Sequence, residues 1–189
     1  MNQVVRRYRS GMEIVPDTKD WTWVLYRSCP ECGLDTRRVA ATDVPGMLLS
    51  GVRAWHRELS RKDVRERPRP NVWSPLEYAC HLRDVCLLFQ RRLSVMLYMD
   101  DPEFADWDQD AAAIEDRYAE QDPAEVSAEL GKAARILAEE FQAVSGAQWQ
   151  RTGVRGDGAA FTVETFARYF SHELVHHLYD VVAGPAAPN

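Results

Sequence analysis

Four stretches of this chain repeat apolar residues at the three- and four-residue spacing of one helix face, and each has its own start or stop signal. From about Thr42 to Ser60 the stripe is Val44, Leu48, Val52, Trp55 and Leu59. The second opens on Ser74-Pro75-Leu76-Glu77, a capping serine, a proline at the first helical position and the glutamate of a capping box. It carries Leu76, Cys80, Val85, Leu88, Phe89, Leu93, Met96 and Leu97 and ends near Asp100. The third opens on Asp122-Pro123-Ala124-Glu125, carries Val126, Leu130, Ala134, Leu137, Phe141 and Val144, and meets a terminator at Gly146. The fourth runs from Thr162 to about Val182 and is stopped by Gly184-Pro185. Four long amphipathic helices with no second strand pattern predict an all-α four-helix bundle over residues 42–184.

The rest reads as connections. Trp21, Trp23 and Leu25 alternate with Thr22 and Val24 before the turn Cys29-Pro30-Glu31-Cys32-Gly33, so residues 1–41 are expected to form an extended arm lying across the bundle. Residues 185–189 make a short tail, and the charged, proline-bearing segment 61–70 is a linker. Between Asp100 and Glu125 stand eleven acidic residues and one arginine, with Trp107 among them. That stretch is either a solvated connection or a lid at one end of the bundle. Residues Trp149 to Ala160, with Gly153, Gly156 and Gly158, read as irregular.

At 189 residues the chain is long enough to bury a core without help from metals or disulfides. A net charge of −6, with basic residues scattered, argues against a nucleic-acid partner. No apolar run approaches the roughly 20 residues needed to cross a bilayer. Arg6, Arg7 and Arg9 are followed by no apolar stretch of the kind a secretory signal requires. A cytoplasmic protein acting on a small molecule is the expectation, with a homodimer left open. Four cysteines in that setting are thiols or metal ligands rather than disulfides.

The chemistry-bearing residues concentrate on the second and fourth helices. His81 shares its face with Tyr78, Val85 and Leu88. His172 and His176 stand four apart in Ser171-His172-Glu173-Leu174-Val175-His176-His177, the offset that brings two imidazoles to one ion. If those helices pack side by side, His81, His172 and His176 converge as an open metal site for zinc, nickel or iron. Three neutral imidazoles would leave the ion's charge uncompensated, lowering a bound water to a pKa of about 7 and deprotonating a bound thiol. Asp84 and Asp180, one turn from His81 and His176, are either imidazole-orienting carboxylates or solvated surface. Arg168 either receives an anionic substrate group or makes an ordinary ion pair, and Tyr78, Tyr169 and Tyr179 either line a pocket or pack in the core.

His172-Glu173-x2-His176 also matches the zinc-peptidase signature H-E-x-x-H, with Glu173 as base. Only thirteen residues follow His176, however, and Tyr179 and Val182 occupy the positions where the longer motif needs glycine and histidine. Cys29-x2-Cys32 is half of a structural zinc site, a redox pair or a simple turn; His56 or His177 could complete a second metal site there. Cys80 and Cys86 read as buried free thiols.

Trp73-Ser74-Pro75-Leu76-Glu77-x3-His81-Leu82-x-Asp84 followed by His172-Glu173-x2-His176-His177 resembles the DinB-like superfamily. That group includes the N-terminal domain of mycothiol-dependent maleylpyruvate isomerase and the bacillithiol transferases. The resemblance covers about Asp43 to Val182. It implies a four-helix bundle with a divalent metal on His81, His172 and His176, and a transferase or isomerase reaction using a low-molecular-weight thiol. The arm with Cys29 and Cys32 departs from that pattern. A metal-dependent hydrolase and a non-enzymatic metal- or small-molecule-binding module stand as alternatives.

Overall fold

The computed structural model describes residues 20–184; the start of the expected arm (1–19) and the expected tail (185–189) lie outside them. Four long helices form at the four periodic stretches: α1 (Val44–Leu59), α2 (Pro75–Tyr98), α4 (Pro123–Ala143) and α5 (Val163–Ala183). A short α3 (Gln109–Glu115) stands between α2 and α4. The caps act as their chemistry dictates. The Glu77 backbone N–H donates to Ser74 Oγ at 3.3 Å while the Ser74 N–H donates to Glu77 Oε2 at 2.9 Å, closing the capping box of α2. The Glu77 carboxylate is buried and also takes the Arg67 guanidinium, which ties the 61–70 linker to the start of α2. Asp122 accepts from the backbone of Ala124 and Glu125 at α4, and Thr162 from Thr165 at α5. The third helix ends at Ala143, before Gly146, and Gly146 opens a 3₁₀ turn instead.

Each of α1 and α2 packs against both α4 and α5, so α2 and α5 are neighbours. The buried stripes meet in one core that includes Trp55, Leu48, Leu82, Phe141 and Phe170. Phe89 of α2 stacks on Phe166 of α5 with centroids 4.2 Å apart, which fixes the helix pair that carries the histidines.

Two expectations need correction. The segment read as irregular contributes to a small sheet: β2 (Thr152–Arg155) pairs antiparallel with β3 (Ala160–Thr162) and parallel with β1 (Glu103–Phe104), in the order β1-β2-β3. Strands of two to four residues are too short to show a period of two. The arm, read as extended, instead turns through 3₁₀ segments at Trp21–Leu25, Thr36–Arg38 and Ala41–Asp43. Its Val24 is fully buried in the core, and the Thr36 hydroxyl donates to the Val24 carbonyl. The 3₁₀ segments lie against α5.

Candidate metal centres on helices α2 and α5

Helix α5 offers two i, i+4 pairs one residue apart, and the fold sends them to different partners. Residues four apart share a face, while a step of one residue turns about 100° around the helix. His172 and His176 turn towards the arm and close a group with Cys29 and Cys32, their donor atoms all within 4.8 Å of one another. Glu173 and His177 turn towards α2 and close a second group with His81 on the same criterion. The expected set of His81, His172 and His176 is therefore divided: His81 lies with His177 and Glu173, and the two other imidazoles lie with the cysteines. Helices α2 and α5 do pack side by side as that reading required; the face of α5 turned to α2 is the one a residue further along.

In the group that His81 joins, His81 Nε2 lies 3.1 Å from His177 Nε2, and His177 Nε2 lies 3.1 Å from Glu173 Oε2. The single N–H that His177 can carry on Nε2 faces both the His81 nitrogen and the Glu173 oxygen, so one donor is shared between two acceptors. The same three atoms are a suitable donor set for a divalent ion, which accepts all three lone pairs. Burial pushes His81 down to about 3, with His177 adding to the shift, so its ring is neutral at ordinary pH. Burial also opposes charge on His177, yet Asp180 and Glu173 push it up to about 9. Burial would raise Glu173, but its hydrogen bond from His177 and the surrounding imidazoles hold it at about 2. Trp107 stacks on the His81 ring at 5.5 Å between centroids and a 16° interplanar angle. Trp73 packs on another side of His81, and Tyr78 on His177. The acidic connection thus covers the site with its one indole, and Gln109 and Asp110 of α3 line the same cavity.

That cavity has a volume of about 230 Å³, and its lining includes Trp21, Trp73, Tyr78, Tyr169, Glu173 and His177. Among the described residues, no lysine or arginine lines it.

In the group with the cysteines, Cys29 Sγ lies 3.7 Å from His176 Nδ1. The other nitrogen of His176 faces Glu31 Oε2 at 3.6 Å and Asp180 Oδ2 at 3.7 Å. His172 is 2% exposed, and its Nε2 is buried without a hydrogen-bond partner among the described residues. Burial lowers the affinity of His172 and His176 for a proton, taking His172 to about 4. Burial, with Cys29 beside it, raises the Cys32 thiol to about 11. All four cysteines are free thiols, Cys80 and Cys86 buried in α2 as expected.

The remaining expected residues fall as follows. Asp180 is buried between the two groups, its Oδ2 3.7 Å from both His176 Nε2 and His177 Nδ1. Asp84 does not orient His81: it takes the Tyr118 hydroxyl and the Arg83 guanidinium, and His81 Nδ1 has no hydrogen-bond partner among the described residues. Arg168 pairs with Glu164 one turn earlier and does not line the cavity, so the anion-receiving role has no support in its placement. Tyr169 and Tyr78 line the cavity, but Tyr179 faces a separate apolar groove beside Met47 and Leu178. His56 is bonded to Ser127 on α4, and His177 to His81, so neither completes the cysteine pair. Glu173 and His177 are the site residues the sequence reading did not choose for the open cluster; their i, i+4 spacing was the available signal.

A bundle whose second and fourth long helices bring imidazoles together at a covered cavity defines a class of four-helix proteins with a candidate metal centre. The sequence profile of the DinB superfamily matches residues 50–181, and this chain belongs to that superfamily. Among solved structures, YfiT from Bacillus subtilis, described as a probable metal-dependent hydrolase with an unusual four-helix bundle topology, is similar at a TM-score of 0.60. The identity is 19%, over 76% of this chain and 79% of that one, a likeness of fold. No curated protein matches the chain significantly.

Proposed function

We propose that the protein is a metal-dependent enzyme acting on a small molecule at the cavity lined by Glu173 and His177, next to His81, with hydrolysis as its reaction. The observation that carries this reading is the convergence of two Nε2 atoms and one carboxylate, two of whose residues, Glu173 and His177, line a cavity of about 230 Å³ together with His172 and His176. Two histidines and one glutamate with a further coordination position is a ligand set of hydrolytic zinc sites. A divalent ion held there supplies an electrophile and a water nucleophile active at neutral pH. The residues around it have separable tasks. Asp180 faces the Nδ1 side of His177 at 3.7 Å, where its charge favours a proton on Nδ1. Trp107 and Trp73 pack against His81 and keep solvent from its ring. The wall is aromatic and acidic, which suits a neutral or cationic substrate with an apolar portion. The description of YfiT as a probable metal-dependent hydrolase supports the same reading.

The test is turnover of a panel of small esters, amides and lactones by zinc-, nickel- or manganese-loaded protein, each assay run with and without a low-molecular-weight thiol. Activity that needs metal and falls at least about 100-fold in Glu173→Gln and His81→Ala is expected. Turnover that appears only with the thiol would replace hydrolysis by thiol transfer or isomerisation at the same residues. Activity indifferent to both substitutions would remove the site. Metal binding without any turnover would leave a binding module.

A further inference from the structure

The proposed reaction uses one of the two clusters on α5, and the other has a different composition. Cys29-x2-Cys32 and His172-x3-His176 supply two sulfurs and two imidazole nitrogens whose donor atoms lie within 4.8 Å of one another. Thiolate and imidazole together select zinc among common divalent ions, and four protein ligands complete its tetrahedron with no position for substrate. The backbone is shaped to present both sulfurs. The Cys29 N–H donates to the Leu34 carbonyl at 2.9 Å, and the Gly33 N–H returns to the Cys29 carbonyl at 3.0 Å. Gly33 takes φ +75, a left-handed conformation that favours glycine and lets the chain double back after Cys32. Charge agrees as well: two thiolates neutralise a doubly charged ion, as a buried site requires, and Cys29 is 2% exposed. Asp180 and Glu31 face the outward nitrogen of His176, the arrangement that orients a metal-bound imidazole. The cysteines lie outside the span matched by the superfamily profile, and the histidines lie inside it.

We propose that Cys29, Cys32, His172 and His176 form a closed zinc site, distinct from the open cluster, which fastens the 20–43 segment to α5. Binding displaces the two thiol protons and forms two Zn–S and two Zn–N bonds, with no change of oxidation state. The fastening reaches the cavity through Trp21, whose ring packs at 5.3 Å from His172 and 4.9 Å from His176 and which lines the cavity wall. The same bonds fix the rotation of α5 and so the direction of Glu173 and His177.

The experiment is titration of the reduced, metal-stripped full chain with cobalt(II), read by absorption and by native mass spectrometry. The site gives thiolate-to-cobalt charge-transfer bands and intense tetrahedral d–d bands. Those bands are expected to persist in His81→Ala, which disables the open cluster alone, and to vanish in the Cys29→Ser, Cys32→Ser double variant, which still takes one ion. His172→Ala and His176→Ala should each lose the tetrahedral signature. Chelation of the zinc-loaded wild type should open protease cleavage within residues 20–43 before the long helices are cut, a readout that needs no variant to fold. The proposal is overturned if reduced wild type shows no thiolate bands, if the bands survive removal of either histidine, or if the freshly isolated chain carries a Cys29–Cys32 disulfide and no ion. Loss of the open cluster alone would leave these outcomes unchanged, so the two readings fail separately.

Discussion

At the residue scale, the consequential choice is between neighbours on one helix. His172-Glu173 and His176-His177 each place two metal-binding side chains side by side in sequence, so two i, i+4 pairs run in parallel around α5. The spacing in the sequence is the same for both pairs and does not say which faces α2. That depends on how α5 is rotated, which the Phe89–Phe166 stack and the arm settle through long-range packing. His81 was legible because it sits in the apolar stripe of a helix that has one histidine. Asp84 illustrates the converse: its spacing from His81 suited a supporting role, yet a tyrosine hydroxyl 34 residues away takes its carboxylate. Asp180 lies 3.7 Å from an imidazole nitrogen in each cluster, and an orienting carboxylate is worth roughly 10–100-fold in metal affinity. Asp180→Asn is therefore expected to weaken both ions by about that factor, measured by competition with a chromogenic chelator. An effect confined to one ion would assign the carboxylate to that cluster alone.

At the scale of elements, the helices were legible and the sheet was not, for reasons of length. A helix of 16 to 24 residues repeats its apolar face several times and carries recognisable caps. A strand of two residues is defined by its partner, and β1 pairs with β2 across about fifty residues of sequence. The glycines of the 149–160 stretch signalled a break in helix, but they did not show that one of them is pressed between two elements. A Cβ on Gly153 would lie 2.8 Å from both Met96 Cγ and Phe104 Cε1, where α2, β1 and β2 meet. Gly153→Ala should overpack that junction at a cost of about 1–3 kcal/mol. Thermal denaturation should then shift down by roughly 2–4 °C for each kcal/mol. A midpoint equal to wild type would mean the side chains there relax freely.

At the scale of the whole molecule, three imidazoles are buried in a way that keeps them neutral, and this sets how the metal-stripped protein responds to acid. Burial holds His81 at about 3 and His172 at about 4, and depresses His176, against an ordinary 6.5. Below 6.5 the unfolded chain takes up protons that the folded chain refuses, so stability falls as pH is lowered towards 3. His177 works the other way. Its affinity is raised to about 9, so its contribution is fully present below 6.5 and is lost as pH rises through 9. The metal-stripped chain should accordingly be most stable near 6.5, with denaturant midpoints falling on both sides. A midpoint independent of pH between 4 and 6.5 would contradict the burial of these rings. No helix among the described residues is long and apolar enough to cross a membrane.

The indoles divide between the clusters: Trp107 and Trp73 lie against His81, while Trp21 leans on His172 and His176 with Trp23 beside His172. The molecule therefore contains separate fluorescent reporters for each ion, and a paramagnetic metal entering either position should quench mainly the adjacent emitters. The Trp73→Phe, Trp107→Phe pair and the Trp21→Phe, Trp23→Phe pair would each silence one cluster's reporters, so the order in which the two positions fill could be followed by light alone. Identical quenching curves in both variants would show that emission does not distinguish them.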